Sequence, residues 1–316
     1  MGGLPLRHGA HCRRAGAAWV VLRHAGFACR LRAALIAQAL ATLPAMTDPC
    51  IAFIGGGNMA SALIGGLRRA GRPAASILVV EPVEAQRERL REGFGVQAQP
   101  AADERLAAAA TVVWAVKPQL FADAAPPCAP HVGRALQVSV MAGVHSAAIA
   151  RASGSAQVVR SMPNTPALIG RGIAGLFARA EVSAAQRTEV EALFAPTGAT
   201  LWVAREGDLD AVTALSGSGP AYVFYLLEAL MQAAAEMGLP PEQGKRLALA
   251  TLEGATALAA ASPETPATLR EQVTSKGGTT HAALSVLDAA GVKASFVRAL
   301  KAAQARSREL GAQFGT

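Results

Sequence analysis

Residues 51–60, IAFIGGGNMA, join a short apolar run to three consecutive glycines. The run 51–54 suits a strand that is buried on both faces of a parallel sheet, and helical spacing follows the glycines. Gly55, Gly57 and Ala60 form G-x-G-x-x-A, the alanine variant of the dinucleotide fingerprint, in its strand–turn–helix context. These small residues permit a tight turn, a close approach of the backbone to a pyrophosphate, and close helix packing. The stretch therefore predicts dinucleotide binding at a helix N-terminus.

An acidic residue, Glu81, ends the next predicted strand, 77–80. At this distance from the fingerprint a carboxylate usually holds the ribose 2′-OH and favours NAD. Arg87 and Arg89 follow closely and could instead meet a 2′-phosphate, and a surface position for Glu81 is a third interpretation. The sequence thus predicts NADPH or NADH as the cofactor without choosing between them.

Two further turns should lie at the same edge of the sheet. The predicted strand 111–116 leads into Lys117 and Pro118, and such a turn at the carboxyl end of a parallel strand should lie beside the cofactor. After another strand, 136–141, the segment VVRSMPNTP places Asn164 between two prolines. This rigid loop is either a structural turn or a cofactor-facing one, and Asn164 is our candidate within it.

The second half of the chain has a different pattern. After a last predicted strand, 199–204, long segments rich in Ala and Leu cover residues 221–237, 243–261 and 294–310. They are apolar nearly all round, which is more than a surface helix needs. We expect them to be buried within the domain or against another subunit, in an intertwined dimer.

Two glycine-containing loops interrupt these helices. The first, SGSGP at 216–220, should end in a helix cap at Ser218 or Gly219; the second, TSKGGTT at 274–280, should precede a helix over 281–290. Both would bring unpaired N–H groups and the positive end of a helix dipole together, which suits a carboxylate. Such caps are mostly structural, but two of them in one helical domain favour a substrate site.

Length and composition fit two domains. The chain has 316 residues and is 52% apolar, enough for two cores. We predict an α/β fold in which a Rossmann-type doubly wound parallel sheet, residues 46–205, is followed by an all-helical dimerisation domain, residues 206–316. Residues 1–45 are expected to be an extension, interpreted either as upstream coding sequence before a start at Met46, as a targeting segment, or as a functional arm.

Charge and cysteine content exclude several classes of protein. The formal charge is +8, but residues 1–45 hold six Arg and no Asp, Glu or Lys, which leaves 24 basic and 22 acidic side chains elsewhere. We therefore expect no nucleic-acid partner, and the broken apolar stretches predict no membrane span. The four cysteines fit neither a metal site nor a disulfide framework, so we expect no metal and a cytoplasmic location.

Five motifs together resemble one family, the pyrroline-5-carboxylate reductases. They are IAFIGGGNMASALIGGL, AVKP, MPNTPA, DAVTALSGSGPAYVF and VTSKGGTT, in the family's order from about residue 46 to the C-terminus. The resemblance implies NAD(P)H-dependent reduction of 1-pyrroline-5-carboxylate to L-proline, the last step of proline biosynthesis. It also implies a homodimer, with higher oligomers built from dimers, and SGSGPA as part of the pocket and the dimer.

The resemblance also implies roles for individual residues. Those expected to hold the cofactor, besides Glu81 and Asn164, are Ile54, Gly55, Gly56, Gly57, Asn58, Met59, Ala60, Ala115, Val116, Lys117 and Pro118. Those expected to bind the substrate are Val273, Ser275, Gly277, Gly278, Thr279 and Thr280. Thr280 is the expected catalytic residue, with its hydroxyl at the ring nitrogen. The chain departs from the family at Lys276, where the loop usually has proline, and at Glu81, where NADP-preferring members often have small or polar residues.

The predicted chemistry needs little acid–base machinery. A pyrroline nitrogen is partly protonated near neutral pH, so a positioned hydroxyl can assist hydride transfer without a strong general acid. Two alternatives remain at this point: another Rossmann imine or 3-hydroxyacid reductase, and a non-catalytic NAD(P)-sensing protein. A 3-hydroxyacid reductase would be expected to carry a catalytic Lys on an interdomain helix, where the central helices offer only Lys245. A sensing protein would not need the VTSKGGTT loop.

Overall fold

The computed structural model describes residues 49–314. The extension expected at residues 1–45 lies outside the described residues. Within them, the chain forms one mixed sheet followed by a set of helices.

The strands of the described chain make a single eight-stranded sheet in the order β3-β2-β1-β4-β5-β6-β7-β8. Neighbouring strands are parallel except for β6 and β7, which are antiparallel. The strands are β1 Cys50–Ile54, β2 Ile77–Val80, β3 Ala98–Gln99, β4 Ala109–Trp114, β5 Leu136–Ser139, β6 Val158–Met162, β7 Gly172–Ala178 and β8 Gly198–Trp202. The first six follow the Rossmann order, and that order reverses between β1 and β4.

Helices connect the strands and then form the second half of the described chain. Those of the sheet domain are α1 Asn58–Arg69, α2 Glu84–Phe94, α3 Phe121–Val132, α4 Ser146–Ser153 and α5 Ala184–Phe194. Those that follow are α6 Leu209–Val212, α7 Gly219–Glu236, α8 Pro241–Ala261, α9 Pro266–Gln272, α10 Thr279–Ala289 and α11 Val292–Phe314. Short 3₁₀ turns lie at Ala74–Ser76, Glu104–Ala108, Pro118–Leu120, Thr165–Ile169, Ala195–Thr197 and Glu206–Asp208.

The sheet is buried on both faces, as the apolar run in β1 predicts. Ile51 and Phe53 belong to one core, with Leu63 of α1, whereas Ala52 and Ile54 belong to the other. This alternation is the consequence of side chains that point to opposite faces along a strand. Helices α1 and α5 contribute to the first core, and α3 and α4 to the second. The predicted fold class, a doubly wound sheet followed by helices, is confirmed.

The segment 216–220 places its cap where the sequence predicts it, with Ser218 as the N-cap of α7 and Pro220 in the first turn, but the open loop expected before the cap is wrong. Residues Thr213–Gly217 form a π-helical turn that continues α6 almost directly into α7, and the Ser218 N–H donates to the Thr213 carbonyl at 2.8 Å. The Ser216 hydroxyl donates to the Val212 carbonyl at 3.0 Å, so the serine supports a helical turn rather than breaking it. Single π-turns of this kind are frequent at functional sites. No open helix N-terminus is present at this point.

The later helices leave many large apolar side chains exposed. We define the helical apolar face by the exposed residues Val223, Phe224, Tyr225, Leu226, Leu247, Leu258, Val286, Leu287, Phe296 and Val297. Tyr225 is 75% exposed and Val286 is 69% exposed. In a single chain the expected burial of these helices is therefore incomplete, and exposed apolar area of this extent is typical of a surface that binds a partner. None of the described helices is both long and apolar enough to span a membrane.

Candidate active site

The glycine-rich turn lies where the strand order reverses, between β1 and β4. Gly55 has φ of +97°, and a Cβ atom there would lie 2.7 Å from the carbonyl oxygen of Ala115. The Gly55 N–H donates to the Val80 carbonyl at 2.8 Å, and the Ala115 N–H donates to Ile54 at the same distance. Only glycine fits this conformation and this space, because a side chain would meet backbone atoms of the neighbouring strand. The turn is thus held open beside the end of β4.

The start of α1 has the features of a site for phosphates. Gly57 is the N-cap residue, and no side chain caps the helix there. A Cβ atom at Gly57 would meet no protein atom within 4 Å, and Gly57 and Asn58 are exposed. Ala60 is completely buried, as the predicted close packing of the helix requires. The free N–H groups and the open space at Gly57 fit the pyrophosphate of a dinucleotide.

Glu81 is not the surface residue that one interpretation of the sequence allowed. It is only 8% exposed, and its two carboxylate oxygens accept different hydrogen bonds. Oε2 accepts from the Gly56 N–H and Oε1 from the Val83 N–H, each at 2.8 Å. A Cβ atom on Gly56 would lie 3.3 Å from Oε2 and 2.7 Å from Leu90, so glycine is needed there too. The carboxylate is therefore fixed against the glycine-rich turn.

The two arginines near Glu81 are held by protein acceptors. The Arg87 guanidinium donates to the carbonyls of Glu81 and Pro82, at 3.0 and 2.7 Å. Arg89 donates to the side-chain oxygen of Gln86, at 2.8 Å from Nε. Gln86 in turn donates to the Gly56 carbonyl, so the side chains of α2 support the turn after β1.

The turn after β4 is brought beside the glycine-rich turn. Ala115 and Val116 are partly buried, and Val116 would lie 3.1 Å from a Cβ atom on Gly55. Lys117 is exposed and occupies the N-cap position of the short 3₁₀ turn that begins at Pro118, without a capping bond from its side chain. The structure thus assembles the predicted cofactor residues 54–60, 81 and 115–118 around one edge of the sheet, with Met59 partly buried at the start of α1.

Asn164 has protein partners on both sides of its amide group. Its Nδ2 donates to the Ser216 carbonyl at 3.1 Å, and its Oδ1 accepts from the Ile173 N–H at 3.0 Å. The side chain therefore ties the loop after β6 to the π-turn and to β7. These contacts favour the structural interpretation of the PNTP loop, and a direct contact between Asn164 and the cofactor stays a prediction.

The predicted substrate loop leads into α10 through two glycines. Gly277 has φ of +76°, and Gly278 is the N-cap of α10, with no side chain capping the helix. The Gly278 N–H donates to the Ser275 carbonyl at 3.1 Å, and a Cβ atom on Gly278 would lie 2.5 Å from the Ser275 hydroxyl oxygen. Thr279 and Val273 are exposed, and Thr280 is half-buried in the first turn. The open N–H groups of this turn can bind a carboxylate.

The structure does not join this loop to the cofactor edge. Among the described residues, no hydrogen bond or ion pair links residues 273–280 to the sheet domain; the bonds of this segment are local. The Thr280 hydroxyl has no hydrogen-bond partner within residues 49–314 and is available to a ligand. No group of three or more His, Cys, Asp or Glu side chains in these residues is arranged to hold a metal ion.

One polar cluster at the junction of the two domains was missed by the sequence reasoning. The Glu206 carboxylate accepts from the Ser146 N–H at 2.6 Å, from the Ser146 hydroxyl at 2.7 Å and from Arg160 at 2.8 Å. Burial alone would raise the pKa of Glu206, but these hydrogen bonds and the guanidinium charge hold that pKa below its ordinary value. No local signal indicates this cluster, because its members lie 46 and 60 residues apart in sequence.

Comparison with known proteins gives the family. Residues 50–143 match the family described as NADP oxidoreductase coenzyme F420-dependent, and residues 206–310 match pyrroline-5-carboxylate reductase dimerisation. The pyrroline-5-carboxylate reductase of Pseudomonas aeruginosa is 44% identical over 272 residues, which cover 85% of this chain and 100% of that protein. The chain belongs to the pyrroline-5-carboxylate reductase family. The predicted family is confirmed.

Solved structures of other family members agree. A pyrroline-5-carboxylate reductase from Coxiella burnetii matches with a TM-score of 0.76 at 36% identity, covering 84% of this chain and 98% of that one. The Plasmodium falciparum pyrroline carboxylate reductase, solved with NADP bound, matches with a TM-score of 0.76 at 27% identity, covering 84% and 99%. Pyrroline-5-carboxylate reductases are NAD(P)H-dependent oxidoreductases, which confirms the predicted enzyme class. The match to the dimerisation domain supports a homo-oligomer, with the helical apolar face as the candidate contact between subunits.

Proposed function

We propose that this chain reduces 1-pyrroline-5-carboxylate to L-proline with a hydride from NADPH or NADH. The observation that carries the proposal is the Gly55–Gly57 turn: it lies at the reversal of strand order, leaves the N-terminus of α1 uncapped, and belongs to a chain of this family. The protein's contribution is to align the two reactants, since the cofactor supplies the hydride when it is bound.

The residues around the turn would hold the dinucleotide. The N–H groups at the start of α1, from Asn58 onward, would bind the pyrophosphate above the open side of Gly57. Ala115 and Val116, next to Gly55, would support the cofactor along the end of β4. The exposed ammonium group of Lys117 would add positive charge at this edge.

The loop before α10 would bind the substrate. Gly277 turns the chain in the left-handed region, and the uncapped first turn would then direct its N–H groups from Thr279 onward at the substrate carboxylate, because the Gly278 N–H is already bonded to the Ser275 carbonyl. Val273 and Ser275 would form the wall of the site. The exposed side chain of Lys276 would add charge attraction for the same carboxylate.

Thr280 would act on the ring nitrogen. Its hydroxyl lies in the first turn of α10, with no protein partner in the described residues, so it can donate a hydrogen bond to the imine or accept one from the iminium. A protonated imine accepts a hydride more readily, and the positioned hydroxyl would keep that nitrogen oriented and supplied with its proton. A buried carboxylate or histidine at the nitrogen is not required.

The second subunit would complete the arrangement. The exposed helical apolar face needs a covering chain, and residues 273–280 make no hydrogen bond to the described part of their own sheet domain. We therefore expect the dimer to bring the two parts of the site together. Assembly of dimers into a higher oligomer, a cytoplasmic location and the lack of a nucleic-acid partner stay predictions; sedimentation, cell fractionation and a DNA-binding assay would test them.

The direct test is oxidation of NADPH and of NADH, measured separately by nicotinamide absorbance, with 1-pyrroline-5-carboxylate as substrate. Turnover with L-proline as product is the expected result. A folded protein that turns over neither cofactor with this substrate would contradict the proposal. Turnover of other cyclic imines alone would favour the alternative imine reductase, and cofactor binding without any turnover would favour a sensing protein.

A further inference from the structure

We infer that Glu81 makes this chain select NADH over NADPH, through a carboxylate that is fixed in the cofactor site. The inference rests on the proposed function, because it assumes that the glycine-rich turn binds a nicotinamide dinucleotide. It goes further in assigning the choice of cofactor, which the family resemblance leaves open.

The position of the carboxylate is set by the backbone on three sides. The Glu81 N–H donates to the Gln99 carbonyl at 2.8 Å, which fixes the end of β2 against β3. The side chain then reaches the glycine-rich turn through Gly56 and the start of α2 through Val83. A side chain that is 8% exposed and held by two N–H groups cannot swing away from a ligand.

The same contacts leave Glu81 able to bind a ribose. Each carboxylate oxygen can accept two hydrogen bonds and has one donor among the described residues, so each retains a lone pair for a ligand hydroxyl. A carboxylate in this place of a Rossmann fold accepts from the ribose 2′-OH of NADH. NADPH carries a 2′-phosphate in place of this hydroxyl, so it offers Glu81 no hydrogen-bond donor there at neutral pH. The phosphate also places negative charge beside a fixed negative group.

The two nearby arginines are not positioned to offset the repulsion between Glu81 and a 2′-phosphate. The Arg87 guanidinium is turned onto the carbonyls of Glu81 and Pro82, and Arg89 pairs with Gln86. A 2′-phosphate would have to draw one of these side chains away from its present acceptors. The charge that faces the ribose position most directly is therefore that of Glu81.

The experiment measures the dissociation constants of NADH and NADPH for the full chain by nicotinamide fluorescence, with no substrate present. For the wild-type protein we expect NADH to bind at least about tenfold more tightly, a difference of about 1.4 kcal/mol. Glu81→Gln keeps the side-chain shape and an acceptor for the Gly56 N–H, removes the charge, and gives up the acceptor for the Val83 N–H. This variant should lower the NADPH-to-NADH ratio of dissociation constants to about threefold or less.

Glu84→Gln is the matched control, since it removes one exposed negative charge from the first turn of α2, three residues from Glu81. It should keep the wild-type ratio. Competition by ADP and by 2′,5′-ADP against bound NADH repeats the comparison without the nicotinamide. In the wild-type protein ADP should displace NADH better than 2′,5′-ADP does. In Glu81→Gln this difference between the two competitors should disappear.

Equal affinities in the wild-type protein, or tighter binding of NADPH, would overturn the inference while leaving the proposed function intact. A wild-type ratio that persists in a folded Glu81→Gln variant would also overturn it. Failure of the folded wild-type protein to bind either cofactor would remove the proposed function, and the selection of cofactor with it. Should Glu81→Gln not fold, the wild-type ratio and the two competitors decide the question alone.

Discussion

Arg160 of β6 and Glu206 of the helical domain form a 2.8 Å ion pair across the junction of the two halves of the chain. The arginine side chain is only 9% exposed, and the glutamate is 23% exposed. Ser146, at the start of α4, donates both its N–H and its hydroxyl to the same carboxylate. The pair therefore fixes how the first helical turn after β8 leaves the sheet.

Removing Glu206 should destabilise the protein. Glu206→Ala would leave the Arg160 charge buried without its partner, and we expect the free energy of unfolding to fall by about 3 kcal/mol. The measurement is denaturant unfolding of the full chain. Glu253→Ala is the control, because its pair with Arg171 is about 70% exposed on both side chains and should contribute less than about 1 kcal/mol. Equal decreases in the free energy of unfolding for the two variants would contradict a larger stabilising effect of the Arg160–Glu206 pair.

The same carboxylate should make stability depend on pH. Because the pKa of Glu206 is lowered in the folded protein, its contribution is fully present above the pKa of about 4.3 of an unfolded glutamate. That contribution is lost as the pH falls through the lower folded-state pKa. Wild-type protein and Glu206→Gln should therefore differ in unfolding free energy at pH 7 and converge toward pH 3. A constant difference over this range would show that the ionised carboxylate is not the source.

The local parts of the cofactor edge could be predicted from sequence, whereas the long-range polar contacts could not. The strand, the turn and the helix around Gly55 follow from neighbouring residue types, which is why their positions agree with the prediction. The partner of Glu81 is 25 residues away and that of Asn164 is 52 residues away, so no periodicity indicates them. The π-turn at Thr213–Gly217 was missed for another reason. Ser and Gly favour loops locally, whereas here the hydrogen bond from the Ser218 N–H to the Thr213 carbonyl continues the helical turn.

Gly55 should tolerate no side chain. Gly55→Ala combines left-handed strain of about 1–2 kcal/mol with a clash against the Ala115 carbonyl that adds about 1–3 kcal/mol. Gly71→Ala is a matched control, because Gly71 has nearly the same φ of +94° but no atom within 4 Å of the added Cβ. Thermal or denaturant unfolding should show a larger loss for Gly55→Ala. A loss no greater than that of Gly71→Ala would mean that the backbone around Ala115 can move.

Gly57 should tolerate a side chain in the free protein but not with cofactor. Its φ of −65° is open to any residue, and an added Cβ meets nothing within 4 Å, so Gly57→Ala should change stability by less than about 1 kcal/mol. The same methyl group would occupy the space assigned to the pyrophosphate, and we expect the dissociation constant of NADH to rise at least about tenfold. Gly93→Ala, in α2 with open space around it, should leave binding unchanged. Unaltered binding by Gly57→Ala would exclude this side of the turn from the phosphate site.

Thr280→Ala tests the catalytic role. Loss of the hydroxyl should lower kcat by about 10²-fold, the lower end of the range for a positioned proton donor, because the imine is already partly protonated. The dissociation constant of NADH should stay within about twofold, since α10 has no place in the cofactor edge. Thr280→Ser should recover most of the rate, because it restores the hydroxyl. Ser285→Ala removes another hydroxyl from the same helix, one that donates to the His281 carbonyl at 2.8 Å, and should leave kcat unchanged. If Thr280→Ala keeps the wild-type kcat, the proton must reach the ring nitrogen from water or from another residue.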